Sequence, residues 1–317
     1  MKSNNCKVEL SVVTTVYNDA PIVPLLINEI KLQCEKINKE FEIIIVNDSS
    51  TDESETEIQK VCRQNENVKG ITLSRNFGQQ IAMSAGMRYA LGKYIIIMDG
   101  DLQNPPAEIP ELYNEILKGY DIVYTVSKTR NNFFDRLTSL FFWFILTKML
   151  GVKIVPNQLM MKIMNRTFLE RYNEYNEINR TVSGIVRDIT SHYQVLYIDN
   201  QTRKEGKSHY NFFKRFNLLI DILISLSNAP LNMMIYFGWF IFLTTIIASL
   251  YYLIGYLYFN VPSGYTSIIL SIFFFGSLIV LLLGFIGRYL SNIYTEVRRR
   301  PLFNIKTMIN IDIEKFQ

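Results

Sequence analysis

The sequence predicts an α/β domain with a mostly parallel sheet, followed by two helices that span a membrane. Across residues 8–125, short β-branched runs alternate with segments of helical periodicity. Polar, turn-forming residues follow these runs. Residues 222–287 contain no Asp, Glu, Lys or Arg, and such a stretch is long enough for two spans of ~20 residues each. We therefore expect a folded domain at residues 1–210 and an apolar C-terminal part.

The elements of the first domain follow one another in a regular order. Apolar, β-branched runs predict strands at residues 8–16, 41–46, 68–73, 94–98, 120–125 and 195–198. Apolar residues at helical spacing predict helices at residues 22–38, 53–64, 79–91, 110–118 and 178–192. Strands that alternate with helices indicate a mostly parallel sheet, and ligands bind such sheets beyond the carboxyl ends of the strands.

The polar segments that end the strands predict a binding site at one rim of the sheet. They lie at residues 14–19, 47–52, 74–78 and 99–103. No Gly-x-Gly-x-x-Gly motif follows the first strand, and no Gly-Lys-Ser/Thr loop is present. These absences argue against a dinucleotide-binding Rossmann domain and exclude the P-loop enzymes.

Asp99 and Asp101 follow a buried strand and suggest a metal site. Residues two apart on a strand share a face, so both carboxylates point at one spot if the extended geometry continues, and Gln103 can join them. Two carboxylates and an amide oxygen suit Mg²⁺ or Mn²⁺, and such a metal usually also binds substrate phosphates. The alternative interpretation is a polar turn with an Asp cap.

In order along the chain, these segments resemble the motifs of family-2 glycosyltransferases, and within them the polyisoprenyl-phosphate glycosyltransferases related to dolichol-phosphate mannose synthase. The resemblance is carried by residues 15–18 (Thr-Val-Tyr-Asn), 46–52 (Val-Asn-Asp-Ser-Ser-Thr-Asp), 74–78 (Ser-Arg-Asn-Phe-Gly), 99–106 (Asp-Gly-Asp-Leu-Gln-Asn-Pro-Pro) and 203–210 (Arg-Lys-Glu-Gly-Lys-Ser-His-Tyr). It implies a Rossmann-like GT-A fold, a nucleotide-sugar donor, a lipid-phosphate acceptor and inversion at the anomeric carbon. Residues 286–301 resemble bacterial members that act on undecaprenyl phosphate, which favours a uridine nucleotide.

The resemblance also implies roles for individual residues. The implied nucleotide contacts are Thr15, Tyr17, Asp48, Arg75, Gly78 and Asp99, and the implied metal ligands are Asp99, Asp101 and Gln103. The implied contacts to the acceptor phosphate are Arg130, Arg136, Lys162, Arg203, Lys207 and Ser208. Asp101, Arg136 and Arg203 are the expected catalytic residues. Residues 160–163 (Met-Met-Lys-Ile) lack the acid of the family's Asp-Phe-Arg-Leu motif, so no catalytic base is assigned.

The apolar segments predict attachment to a membrane. Residues 133–150 form either a helix in the membrane interface or a core helix of the domain. Residues 211–230 suit an amphipathic helix along the membrane surface, and the segment 231–290 contains the predicted spans, 232–258 and 266–290. By the positive-inside rule, Arg298, Arg299 and Arg300 place the tail, residues 291–317, on the cytoplasmic side of the cell membrane, and two spans place the catalytic domain there as well.

Composition limits the partners. The formal net charge of +4 is too small to indicate nucleic acid. The three cysteines lack metal-type spacing and the first residues lack the apolar core of a signal peptide, so we expect free thiols in a reducing compartment. The expected partners are a nucleotide sugar, a polyisoprenyl phosphate and the lipid bilayer, and the resemblance suggests a homo-oligomer.

Two other functions remain open from the sequence. A processive polysaccharide synthase of the same fold would carry a Gln-x-x-Arg-Trp motif, which neither Trp143 nor Trp239 belongs to. A non-catalytic membrane scaffold would not need Asp99, Asp101 and Gln103, nor the basic segment at residues 203–210.

Overall fold

The computed structural model describes residues 8–102, 104–127, 158–175, 177, 182–198 and 264–312, together with isolated helical positions between 236 and 247. The chain divides into two compact units. The first, called the sheet domain below, comprises Met1–Leu140, Ile154–Ser208 and Pro301–Gln317. The second comprises Phe141–Lys153 and His209–Arg300.

The described strands and helices alternate through most of the sheet domain. The strands are β1 (Leu10–Val16), β2 (Phe41–Asn47), β3 (Val68–Leu73), β4 (Tyr94–Asp99), β5 (Ile122–Ser127), β6 (Gln158–Asn165), β7 (Tyr193–Ile198) and β8 (Ile305–Ile309). The helices are α1 (Ile22–Ile37), α2 (Ser54–Gln64), α3 (Gln79–Arg88), α4 (Ile109–Ile116), α5 (Arg166–Glu174) and α6 (Val182–Ile189), with a short 3₁₀ turn at Pro106–Glu108. The long helix α7 (Tyr265–Val297) lies in the second unit.

The strands of the described residues form a single sheet in the order β7-β5-β6-β4-β1-β2-β3-β8. The four central strands, β4-β1-β2-β3, are parallel. Strand β6 runs antiparallel to both β4 and β5, and β8 runs antiparallel to β3 at the edge. The carboxyl ends of the parallel strands therefore meet at one rim of the sheet.

The central strands are buried on both faces. Successive residues of a strand alternate between two hydrophobic clusters: Val12 belongs to one and Val13 to the other, and Ile96 and Ile97 divide in the same way. Helices α1, α2 and α4 contribute to the first cluster, and α3, α5 and α6 to the second. A parallel sheet covered on both faces explains why these strands are continuous apolar runs in the sequence.

The structure confirms the predicted alternation of strands and helices through the central sheet. It adds three elements that the sequence analysis did not assign, β6, α5 and β8. Strand β8 comes from the segment that the sequence analysis treated as a tail. It is held by several contacts with the sheet domain, among them a hydrogen bond of 2.9 Å from the Ser74 N–H to the Asn304 carbonyl.

The second unit contains α7, which covers and extends the predicted segment 266–290. Large apolar side chains along this helix are exposed, among them Ile272, Ile279, Leu283, Ile286 and Leu290. Among the residues that the structure describes, no helix combines the length and the apolar character needed to cross a membrane. The other predicted span, residues 232–258, lies almost entirely outside the described residues. The predicted helix at residues 133–150 lies wholly outside them.

Candidate active site

A cavity of about 510 Å³ lies at the carboxyl ends of β1, β2 and β4. Its position is the one that a parallel sheet predicts for a ligand site. Its lining consists of Thr15, Val16, Tyr17, Asp19, Ile22, Asp48, Asn76, Gly78, Gln79, Asp99, Gly100 and Asp101. Four acidic residues therefore line one cavity, Asp19, Asp48, Asp99 and Asp101.

The loop after β1 is braced against the loop after β2. Asn18 Oδ1 accepts a hydrogen bond of 2.7 Å from the Thr51 N–H, and the Asn18 N–H donates to Ser50 Oγ at 2.9 Å. The Ala20 N–H donates to Asp52 Oδ2 at 3.0 Å. These cross-links fix the rim of the cavity next to Tyr17 and Asp19 before any ligand arrives.

Asp48 holds the loop after β3. Its Oδ1 accepts a hydrogen bond from the Phe77 N–H and its Oδ2 one from the Gly78 N–H, both at 2.8 Å. Gly78 has φ of 90°, a backbone conformation that glycine adopts readily and other residues rarely do. Burial raises the pKa of the Asp48 carboxyl, and the two N–H donors oppose that rise.

The segment around Gly100 brings two carboxylates close to the end of β1. A Cβ atom on Gly100 would lie 2.3 Å from the Thr15 carbonyl oxygen, so only glycine allows this approach. Strand β4 ends at Asp99, and the chain turns at Gly100 and Asp101. The extended geometry that would place Asp99 and Asp101 on one face of a strand therefore does not continue past Asp99. Both nevertheless line the cavity, because the turn carries Asp101 back to it.

Two side-chain amides bind the carboxylate of Asp99. Gln79 Nε2 donates to Oδ1 at 2.5 Å, and Asn104 Nδ2 donates to Oδ2 at 3.0 Å. The pKa of Asp99 is raised to about 6, first by burial and then by the charge of Asp101, while both amides oppose the rise. The protonated form of this carboxyl is consequently favoured up to a higher pH than that of an ordinary aspartate.

Lys162 lies beneath this site and not at its mouth. It is 2 % exposed in β6, and its ammonium lies 5.4 Å from the centre of the Tyr124 ring. Burial lowers its pKa to about 8, and the charge of Asp99 opposes that shift. Little of this side chain is exposed, and its contact with an acceptor phosphate stays a prediction.

Family membership follows from the sequence comparison. The family model described as Glycosyl transferase family 2 matches residues 11–172, which include β2 to β4, all but the first residue of β1, and every residue that lines the cavity. The chain belongs to this family. It is therefore a glycosyltransferase, and the cavity described above is its candidate active site.

Two relatives match the glycosyltransferase along nearly its whole length. An uncharacterized glycosyltransferase of Synechocystis is 30% identical over 308 residues, covering 96% of this chain and 97% of the relative. The undecaprenyl-phosphate 4-deoxy-4-formamido-L-arabinose transferase of Photorhabdus laumondii is 30% identical over 307 residues, covering 95% and 94%.

A solved structure supports the GT-A fold. The mannosyltransferase PcManGT of Pyrobaculum calidifontis, solved in complex with GDP-Man and Mn²⁺, superposes with a TM-score of 0.50 at 15% identity. The superposition covers 68% of this chain and 63% of the other. At this level of identity the likeness concerns the fold of the glycosyltransferase.

The structure brings together most of the implied nucleotide and metal residues that it describes. Thr15, Tyr17, Asp48, Gly78, Asp99 and Asp101 all line the cavity. Arg75 is not part of the lining, and its guanidinium stacks 4.6 Å from the centre of the Phe77 ring. The remaining implied site residues, Gln103, Arg130, Arg136, Arg203, Lys207 and Ser208, lie outside the described residues.

Sequence reasoning missed three side chains of the site. Asp19 lines the cavity, and its carboxylate follows the first strand closely enough to have been noticed. Gln79 and Asn104 bind Asp99; Asn104 lies within the motif at residues 99–106, whereas Gln79 lies outside the motifs that carry the resemblance. Within the described residues, no group of three or more His, Cys, Asp or Glu is arranged to hold a metal.

Asp99 and Asp101 fit a divalent metal that is shared with a substrate. Mg²⁺ and Mn²⁺ are commonly bound by one or two carboxylates together with substrate phosphates, so a cage of three protein ligands is not required. The high pKa of Asp99 beside Asp101 indicates a pair of like charges that a cation would relieve.

Proposed function

We propose that this glycosyltransferase transfers a sugar from a nucleoside diphosphate sugar to a polyisoprenyl phosphate in a metal-dependent reaction. The observation that carries the proposal is the convergence of Asp48, Asp99 and Asp101 on one cavity at the carboxyl ends of the parallel strands. The site has acidic groups for a metal and a fixed rim for a nucleotide. The full-length match to a relative named for undecaprenyl phosphate supports the acceptor class.

The donor lies in the cavity between the ends of β1, β2 and β4 in this proposal. Tyr17 is half exposed at the cavity and offers a face for a base or ribose. Asp48 positions the loop that contains Gly78, whose backbone approaches the cavity. A uridine nucleotide is our preferred donor, because the sequence resembles bacterial members of the polyisoprenyl-phosphate group.

Charge explains why a metal belongs to the donor site. A nucleoside diphosphate is an anion, and the residues that line the cavity include Asp19, Asp48, Asp99 and Asp101. The two repel one another unless a cation lies between them. Asp99 and Asp101 would bind Mg²⁺ or Mn²⁺, and the metal supplies electrostatic stabilisation of the leaving diphosphate.

The acceptor needs little help to act as a nucleophile. The second pKa of a phosphate monoester is ~6, so the acceptor phosphate is largely dianionic at neutral pH. This removes the need for a strong protein base and fits the missing acid at residues 160–163. Cationic side chains must then screen the approach of two anions, and we assign this role to Arg136 and Arg203, with Arg130, Lys207 and Ser208 as further phosphate contacts.

We also propose that the enzyme resides in the cell membrane with its sheet domain on the cytoplasmic side. Residues 222–287 carry no charged side chain, and exposed apolar residues run along α7. Arg298, Arg299 and Arg300 follow that helix directly and are exposed. Positive residues next to an apolar helix favour the cytoplasmic side, where nucleotide sugars are available.

The test is an assay of lipid products. Membranes that contain the protein are incubated with undecaprenyl phosphate and a panel of UDP-, GDP- and other nucleotide sugars, and the lipids are weighed by mass spectrometry. We expect one nucleotide sugar to add a single hexose-sized mass, and we expect excess EDTA to abolish the product. Membranes with Asp101→Asn, which keeps the shape of the side chain, serve as the control.

The assay also separates the alternatives. A ladder of added sugars would indicate a processive synthase, and no lipid product with any donor would overturn the proposed reaction. Arg203→Ala tests the acceptor side, since we expect it to impair lipid transfer more than it weakens nucleotide binding. A larger effect on nucleotide binding would remove Arg203 from the acceptor site.

A further inference from the structure

The carboxylate of Asp99 is held by amides from two separate segments of the chain. Gln79 is the first residue of α3, and its Nε2 donates to Asp99 Oδ1 at 2.5 Å. Asn104 lies in the loop after β4, and its Nδ2 donates to Asp99 Oδ2 at 3.0 Å. We call Gln79 and Asn104 the amide clamp. Among the described residues, each oxygen of the carboxylate thus has a side-chain amide donor, and the two donors come from different segments of the chain.

Asn104 is placed with high specificity. Asn104 is 2 % exposed, and Leu102, two residues before it, has φ of 57°, a left-handed conformation that is uncommon for leucine. Leu102 packs against the hydrophobic cluster that contains Ile96, which fixes the turn. The backbone therefore adopts an unfavourable conformation at the point where it carries Asn104 under Asp99.

Stability of the fold does not explain why an amide is buried here. Asn104 Oδ1 is buried and has no hydrogen-bond partner among the described residues. A buried acceptor without a partner costs about 1–3 kcal/mol, and an apolar side chain of the same shape would avoid that cost. The Nδ2 donor to Asp99 is a contact that an apolar side chain at this place cannot make.

The clamp determines where the remaining lone pairs of Asp99 point. A carboxylate has about four lone-pair directions, and the amides occupy one on each oxygen. The torsion that rotates the carboxylate plane is otherwise soft, so the two donors fix that plane. The other lone pairs are then oriented in advance for a ligand in the cavity.

We propose that Gln79 and Asn104 are positioning residues that orient Asp99 for the divalent metal of the donor complex. The inference rests on the proposed function, because it assumes that Asp99 binds the metal. Neither residue needs to touch the metal or the sugar nucleotide for this role. Outer partners of metal ligands typically contribute 10–100-fold to metal affinity.

The test measures Mn²⁺ binding to the full-length protein by electron paramagnetic resonance of free Mn²⁺, with UDP present, alongside thermal unfolding. Asn104→Leu keeps the branched shape and removes both polar atoms. Gln79→Ala removes the second donor at a position of lower burial. Gln80→Ala is the matched control, because Gln80 is the next residue of α3 and its Nε2 contacts Met160 Sδ at 3.6 Å instead of Asp99.

We expect Asn104→Leu and Gln79→Ala to weaken Mn²⁺ binding about 10–100-fold, and Gln80→Ala to leave it unchanged. The midpoint of unfolding of Asn104→Leu should stay within about 3 °C of wild type or increase, because a buried unpaired acceptor is removed and water in the cavity can solvate Asp99. A residue with a merely structural role would show the reverse pattern, lower stability with unchanged affinity for the metal.

The outcomes separate the clamp from the proposed function. Tight Mn²⁺ binding by wild type and equally tight binding by both variants would overturn the clamp and leave the metal-dependent donor site standing. Absence of Mn²⁺ binding by wild type would overturn both. If Asn104→Leu fails to fold, Gln79→Ala alone decides, and unchanged affinity in that variant overturns the clamp.

Discussion

A carboxylate is buried at each end of the parallel strands. At one end it is paired with a cation, and at the other it lies beside a second acid. At the amino ends, Glu42 is 2 % exposed and accepts hydrogen bonds of 2.6 Å from Ser11 Oγ and from the Leu91 N–H. Lys69 forms a salt bridge with it. At the carboxyl ends, Asp99 lies beside Asp101 and within the same cavity as Asp48.

The difference separates a structural carboxylate from a functional one. The charge of Glu42 is neutralised by Lys69 and its oxygens are satisfied, so the amino end is complete without a ligand. At the carboxyl end, burial and the neighbouring acids Asp52 and Asp101 raise the pKa of Asp19, and burial and Asp101 raise that of Asp99. Like charges gathered in a cavity are relieved by a proton or by a cation, so a divalent metal at this end is the ligand that the proposed function requires.

The largest expected effect comes from removing a carboxylate at the carboxyl end. Asp101→Ala should reduce sugar transfer at least about 10³-fold, because the transition-state charge loses its metal, while the protein folds with unchanged stability. Transfer is measured by lipid product formation and stability by thermal unfolding. An active Asp101→Ala variant would show that the acids at the carboxyl ends of the strands are not required for sugar transfer.

The matching change at the amino end should have the opposite signature. Glu42→Ala leaves Lys69 and two buried donors without their acceptor and should lower the free energy of unfolding by about 3 kcal/mol, with turnover per folded molecule unchanged. Urea denaturation measures the loss, and Lys60→Ala, at an exposed pair with Glu57, is the control. A Glu42→Ala variant that is stable but inactive would show that Glu42 serves the reaction and not the stability of the fold.

The dependence of stability on pH is expected to be smaller than the effects of Asp101→Ala and Glu42→Ala. Asp99 has a pKa of about 6 in the metal-free fold, against an ordinary value of 3.8, so the folded state binds its proton more tightly than the unfolded chain does. Stability of the metal-free protein should therefore fall as pH rises from about 4 to about 6 and change little above that.

Metal binding should show the complementary dependence. A proton competes with the cation for Asp99, so Mn²⁺ affinity should fall about tenfold for each pH unit below about 6. Titrations between pH 5 and 8 measure this slope. An affinity that is flat across that range would mean that Asp99 does not bind the metal.

The smallest effect is expected at an exposed ion pair between β8 and α2. Lys306 of β8 and Glu55 of α2 form a salt bridge of 2.9 Å, and the lysine is largely exposed. Lys306→Ala should change the free energy of unfolding by less than about 1 kcal/mol, since exposed ion pairs contribute little. A loss as large as that of Glu42→Ala would show that β8, and not the burial of charge, dominates stability.

Sequence reasoning predicted the central sheet well because its signal is local. Continuous apolar runs such as residues 94–98 identify strands that are buried on both faces, and the polar residues after them identify the rim. Asp48, Asp99 and Asp101 could be placed at one site without coordinates, because parallel strands bring their carboxyl ends together.

The parts that could not be predicted depend on contacts between distant segments. Strand β8 is short, and it is a strand only because β3 offers a free edge far away in the sequence. A lysine is ordinarily expected at the surface. The burial of Lys162 follows from its place in β6, which lies between β4 and β5 in the sheet. Asn104 contacts Asp99 through a turn with Leu102 in a left-handed conformation, which no propensity predicts for leucine.

The central claim is that the carboxyl-end acids bind a nucleoside diphosphate through a divalent metal. Isothermal titration of the purified full-length protein with UDP, with Mn²⁺ and then with EDTA, tests it directly, and Asp101→Asn provides the matched variant. We predict binding by wild type with Mn²⁺, and no detectable binding in EDTA or by Asp101→Asn. Equal affinity for UDP with Mn²⁺ and with EDTA would contradict the account.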